Sequence, residues 1–325
     1  ATRDRPHPRD FGRLANEGGL ADVRKPGSAV AHWPAPARAG DHLVYLAALG
    51  EPPPLAAAVQ AAERSAASLA AVGRFRDAIA ARRLLPDSPG SAFPMLGELK
   101  RTLPAEQYLL EENQLRIALE NEGQQILLRY LTGDQTPQTR ADFASGAAHF
   151  DAARKLTQES LFLEARYNFC RGRTLLFDKQ HRAAADLLEQ AARTDPGGAY
   201  SYNALGIAYL EQADYSSAIL SFRDAARRAP YWAYPLHNLA LAHTEMGDYR
   251  SAVRYYQQAI RLAPQYSYLP YNLGLVYQRL NQRKDAEAAY RRAIALAPDS
   301  AEPYNALGSL KASIGRPVEA ERLYR

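Results

Sequence analysis

AYSYNALGIAYLEQADYSSAILSFRDAARRAP, residues 199–230, decides the fold, because the chain goes on to write variants of it again and again. Pro196, Pro230, Pro264 and Pro298 stand 34 residues apart, as do Leu205, Leu239, Leu273 and Leu307. Gly206, Ala240, Gly274 and Gly308 keep the same interval. So do Ala218, Ala252, Ala286 and Ala320, and then Phe222, Tyr256, Tyr290 and Tyr324. A fixed period of this length marks an array of like supersecondary units, each burying its apolar face against the next.

The spacing inside each unit predicts two helices. Leu205-Gly206 with Tyr209, like Leu273-Gly274 with Tyr277, lies on one helical face. A tight turn follows at Gln212-Ala213-Asp214-Tyr215, Met246-Gly247-Asp248-Tyr249 and Ile314-Gly315-Arg316-Pro317. There glycine suits the left-handed backbone that ends a helix. A second helix carries Ala252, Tyr256 and Ala259 on its inner face. Small residues let the paired helices approach, aromatic rings fill the space between them, and proline stops the second helix.

These residues resemble the tetratricopeptide repeat, a 34-residue helix-turn-helix unit. Five copies are expected: 165–198, 199–232, 233–266, 267–300 and a truncated 301–325. The resemblance implies an all-α fold, an α-solenoid wound as a right-handed superhelix. Upstream, 55–164 reads as a divergent helical region of the same kind. Phe143 to Ala153 has the spacing of a second helix, its partner being the apolar-periodic stretch from about Glu106 to Leu131. The loop between them, Gly133 to Thr139, is long. Val72-Gly73-Arg74-Phe75 copies the repeat turn, so 55–85 is expected to be a helix pair, either a repeat hairpin or an unrelated Ala-rich pair. Residues 1–54, broken by Pro6, Pro8, Pro26, Pro34, Pro36 and Pro52-Pro53-Pro54, read as an irregular arm or linker.

The arm carries a second resemblance. His7-Pro8-Arg9-Asp10-Phe11-Gly12, with Leu20-Ala21-Asp22 and Lys25-Pro26-Gly27, is similar to the tail after the protease domain in bacterial caspase-like proteins. This implies a covalently linked N-terminal protease domain, with the present residues as its recognition or regulatory region. Such proteases use a His–Cys pair. The single cysteine here, Cys170, lies in Asn168-Phe169-Cys170-Arg171-Gly172 inside a repeat helix. A buried structural thiol is the expectation there.

Other chemistry finds little footing. The 325 residues are 47% hydrophobic and 23% charged, the balance of a folded chain. The net charge of +5 is too small to imply nucleic acid without clustering. Arg227-Arg228 and Arg291-Arg292 fall late in second helices, where they suit the helix dipole. The seven histidines make no HExxH arrangement, and His243 sits in the packing column of Tyr209 and Tyr277. Phosphate-cradling glycine loops and nucleophile elbows are missing from the sequence, and Glu111-Glu112 reads as a solvated helix face. No metal, cofactor or catalytic group is expected, and neither nucleic acid nor membrane as a partner. A cytoplasmic location is expected.

The repeats do offer a surface. In a stacked array the first helices line the inner curve. The columns there read Tyr200, Tyr234, Tyr268; then Asn203, His237, Tyr271, Asn305; then Asn238 and Asn272, with Arg279 the groove cation. Asn amides both donate to and accept from a peptide backbone, and tyrosine adds a rigid face with a hydroxyl. Two readings stand: a groove for an extended peptide, or rings that seal neighbouring repeats. At the level of the whole protein, peptide or protein recognition competes with self-assembly, and an enzyme with an unfamiliar site in 55–160 remains the third alternative.

Overall fold

The computed structural model describes residues 55–132 and 137–325, among which there are fourteen helices and no strand. The arm over 1–54, including the His7–Gly27 motif, lies outside the described residues. The chain divides into two compact units, Ala1–Ala70 and Ala71–Arg325. The first is described only where α1 (Leu55–Ala80) opens.

In the second unit helices follow one another and pack in sequence. They are α2 (Ala92–Thr102), α3 (Ala105–Thr132), α4 (Arg140–Arg154), α5 (Leu161–Phe177) and α6 (His181–Thr194). The regular pairs follow: α7 (Ala199–Leu210) with α8 (Tyr215–Arg228), and α9 (Ala233–Glu245) with α10 (Tyr249–Leu262). After them come α11 (Tyr268–Arg279) with α12 (Arg283–Leu296), and α13 (Ala301–Ser313) with α14 (Pro317–Tyr324). The first helices beginning at Leu161, Ala199 and Ala233 touch in succession, and so do those beginning at Tyr268 and Ala301. The first helices therefore form one layer of the solenoid, as expected for an all-α array.

The 34-residue columns are the packing contacts. A Cβ built on Gly206 would meet the Phe222 ring at 2.5 Å, and one on Gly274 would meet Tyr290 at 2.5 Å. Glycine thus lets the ring of the second helix lie directly on the backbone of the first. Phe222 and Tyr290 are buried in this way, and Tyr256, whose pair has Ala240 at the glycine position, is buried as well. Each second helix ends two residues before its proline, at Thr194, Arg228, Leu262 and Leu296. The residue in front of proline is pushed out of the helical region by the proline ring.

The turn inside each pair is also the same object five times. Lys179, Ala213, Gly247, Asn281 and Gly315 all have φ between 56° and 77°. The next amide reaches back to the first helix at each: Gln180 to Leu175, Asp214 to Tyr209, Asp248 to His243, Gln282 to Tyr277, and Arg316 to Lys311. This six-to-one bond defines a Schellman motif. Only two of the five positions hold glycine, so the geometry is imposed by the packed pair. Ala213 carries a left-handed backbone that costs an L-residue roughly 1–2 kcal/mol. Ala213→Gly is expected to raise stability by roughly 0.5–1 kcal/mol after the entropy of glycine is deducted, a shift readable in urea unfolding; a lower midpoint would contradict it.

Two expectations are corrected. Residues 55–80 form one uninterrupted helix, not a helix pair. Gly73 sits in an Ala-rich run of high helix propensity and does not break it. The left-handed turn comes later, at Arg82 (φ 56°), with the Arg83 amide on the Ala78 carbonyl. Glu111 is not solvated: it is 4% exposed and accepts from the Arg76 guanidinium through Nε at 3.2 Å and through Nη2. Arg76 of α1 supplies the counter-charge to this carboxylate of α3. Glu112, its neighbour, accepts from the Tyr108 hydroxyl at 2.5 Å.

Candidate peptide-binding face

The ten residues of the expected groove lie on the layer of first helices, and the structure divides them into two groups. The first group is used up inside the protein. Tyr200 is 5% exposed, donates to Asp195 Oδ2 at 2.7 Å, and stands edge-on to Phe169 at 4.9 Å. Asn203 is 1% exposed and donates through Nδ2 to the Tyr130 hydroxyl at 2.8 Å. Its Oδ1 accepts from Asn238 Nδ2 at 2.9 Å, and Asn238 is 8% exposed. For these three the sealing role is what the geometry shows: an Asn–Asn–Tyr chain of hydrogen bonds links α9, α7 and α3.

Tyr130, near the end of α3, explains why. Its ring lies 5.2 Å from Phe169 and 5.8 Å from Trp232, and the Arg173 guanidinium sits 5.1 Å from its centroid. Burial pushes its phenol up from the ordinary value, against the pull of Arg173. Thr132, two residues on, gives its carbonyl oxygen to the Tyr266 hydroxyl at 3.3 Å. The end of α3 thus occupies the inner face across the repeats at 165–232 and reaches the edge of the next. No sequence signal singled out Tyr130, because the 34-residue columns do not extend to its helix.

The second group stays accessible. Tyr234, His237 and Tyr268 are half-buried in one ring cluster, with Tyr234 to Tyr268 at 6.3 Å and His237 to Tyr268 at 5.1 Å. Trp232 joins at 6.0 Å from Tyr234, and Tyr266 stacks on Tyr268 at 5.6 Å. Tyr271 and Asn272 are half-buried, and Arg279 and Asn305 are exposed. Leu241 and Leu275 stand one helical turn further along the same faces, half-buried and exposed respectively. Trp232, Tyr266 and the Leu241–Leu275 column were missed at the sequence level, although each pair is 34 residues apart.

The ionisable groups here do not form a catalytic set. Burial pushes the His237 imidazole down to about 4, so it is neutral at pH 7. An unfolded histidine takes up its proton near 6.5, so between 6.5 and 4 the unfolded chain binds more protons than the folded one. His237 is therefore expected to cost stability progressively as pH falls through that window, and nothing above it. His237→Phe should flatten the fall in urea midpoint between pH 7 and 4.5; an unchanged profile would contradict this. His243 stacks on Tyr255 at 5.3 Å and is buried in the column of Tyr209 and Tyr277, as its spacing indicated. Cys170 is fully buried, and burial pushes its thiol up to about 12, which leaves it inert at neutral pH. Among the described residues no three His, Cys, Asp or Glu side chains are grouped to hold a metal ion. No helix among them is long and apolar enough to cross a membrane.

Stacked helix pairs with a shared layer of first helices define a helical repeat array. Two stretches of the chain, residues 169–231 and 243–314, each match the tetratricopeptide repeat family. Solved structures similar to the chain include a crystal structure of MamA, at 23% identity over 48% of this chain and 90% of that one, with a TM-score of 0.44. TTC0263, a thermophilic repeat protein of Thermus thermophilus, matches at 26% identity over 49% and 88%, with a TM-score of 0.43. YrrB, described as a repeat protein with an unusual peptide-binding site, matches at 17% identity over 55% and 89%, with a TM-score of 0.44. No curated protein matches the chain.

Proposed function

We propose that the protein is a non-catalytic scaffold that holds an extended peptide segment of a partner along the inner face from Tyr234 to Asn305. The observation that carries this reading is the contrast within one ladder. Asn203 and Asn238 are bonded inside the chain, whereas Tyr268, Tyr271, Asn272 and Asn305 remain at least partly open. Rigid rings and amides in register can grip a backbone at low entropic cost. The test is a peptide array probed with the full chain and with a Tyr234→Ala/Asn272→Ala variant. Binding to most hits should fall at least tenfold; hits that all survive unchanged would remove the face from consideration.

The resemblance of His7–Gly27 supports a finer proposal, that this scaffold serves a caspase-like protease domain in the same polypeptide. The test is the gene sequence upstream of Ala1, where a His–Cys protease domain is expected and an unrelated open reading frame would end the idea.

A further inference from the structure

We propose that the ring-lined stretch of this face, from Trp232 to Tyr271, takes a proline-rich segment in the polyproline II conformation. The inference rests on the peptide-binding reading above and names the class of peptide.

Three features of the stretch select for such a ligand. The first is its surface. The half-buried rings of Tyr234 and Tyr268 stand 6.3 Å apart, the indole of Trp232, buried against Tyr130, lies 6.0 Å from Tyr234, and Tyr266 and His237 flank them. A polyproline II chain advances about 3.1 Å per residue, so each spacing spans roughly two residues, and its flat pyrrolidine rings lie well on aromatic faces.

The second feature is the balance of donors over acceptors. The Trp232 indole N–H is buried without a partner, and an indole nitrogen only donates. His237 Nδ1, buried without a partner as well, donates in one of the two neutral tautomers of the ring. A proline-rich backbone offers free carbonyl oxygens and few N–H groups, so it answers donors and asks for few acceptors. The face already reads one backbone carbonyl in this manner: the Tyr266 hydroxyl donates to the carbonyl of Thr132.

The third feature is charge. The stretch is built from phenols, an indole and a histidine that burial keeps neutral at pH 7. A charged segment would lose water there without gaining a counter-charge.

The experiment uses tryptophan fluorescence of the full chain in a Trp33→Phe background, which leaves Trp232 as the one indole of the two in the sequence. The probes are capped nine-residue peptides: repeating alanine-proline-proline, a glycine-serine control and an alanine-glutamate control. The proline-rich peptide should give a saturable shift with at least tenfold lower Kd than either control, and Tyr268→Ala should weaken it at least tenfold. If Tyr268→Ala does not fold by circular dichroism, Tyr268→Phe carries the test, with about threefold weakening expected. Equal binding of all three peptides, or no effect of the Tyr268 substitutions, would overturn the proposal. Failure of the proline-rich peptide while array hits remain sensitive to Tyr234→Ala/Asn272→Ala would sink this inference alone. Array hits insensitive to that variant would sink the peptide-binding reading too.

Discussion

Phe222→Ala is expected to destabilise the array by about 4 kcal/mol. The side chain is fully buried, and its ring rests on the backbone of Gly206, where a Cβ would come within 2.5 Å. Removing a buried phenyl costs its transfer free energy plus that of the cavity left behind, which together run to roughly 3–5 kcal/mol. Collapse cannot recover much of this, because two helices held apart by a ring must move as bodies to close the gap. The loss should fall on the pair itself and its two interfaces, since each unit of such an array touches only its neighbours. Hydrogen exchange should therefore quicken most over 199–228. An unfolding free energy in urea within 1 kcal/mol of the parent would show that the Gly–ring contact is not what holds the pair. The third pair supplies a natural comparison, because Ala240 stands there opposite Tyr256, also fully enclosed. A methyl on the first helix is thus tolerated where the ring has room to shift, and Gly206→Ala should cost far less than Phe222→Ala.

Tyr130→Ala is expected to cost about 3–4 kcal/mol and to detach the end of α3 from the repeats. The ring sits among Phe143, Phe169 and Trp232, at 6.1, 5.2 and 5.8 Å. Its hydroxyl accepts from Asn203, which in turn accepts from Asn238. Tyr130→Phe separates the two contributions. It keeps the ring and leaves the buried Asn203 amide one partner short, a loss of about 1–3 kcal/mol. Equal stabilities for Tyr130→Phe and the parent would mean that the amide finds another partner. Exposure of the inner face between Phe169 and Trp232 should accompany Tyr130→Ala, read as faster exchange at the end of α3.

The regular part of the fold was legible because packing repeats with the period of the chain. Leu205, Gly206, Ala218 and Phe222 recur every 34 residues because the same two helices meet in the same way each time. The turn was legible in place but only partly in kind. Glycine announces it at Gly247 and Gly315 and asparagine at Asn281, while Lys179 and Ala213 adopt the left-handed backbone with no such signal. There the six-to-one hydrogen bond and the closed helix pair outweigh the local preference of the residue. Gly73 misled for the opposite reason: it has the local signal of a turn but no packed partner to close one, and the Ala-rich helix runs through it.

The candidate site was legible as a set of columns and not as a set of roles. Asn203 and His237 stand in the same column, 34 residues apart, yet Asn203 is enclosed and His237 is only half-buried. What separates them is the end of α3, brought to the inner face from more than seventy residues away in sequence. The same long-range packing turns Glu111 from a surface charge into an enclosed partner of Arg76.

By itself, then, the sequence determined that helices pair, that each second helix stops short of Pro196, Pro230, Pro264 and Pro298, and which faces meet, because these follow from contacts local to each unit. Only the tertiary structure decided which members of the inner ladder are sealed and which are open, because that depends on where Tyr130 and Thr132 come to rest. Such a placement is set by burial summed over distant segments, and no period in the chain encodes it.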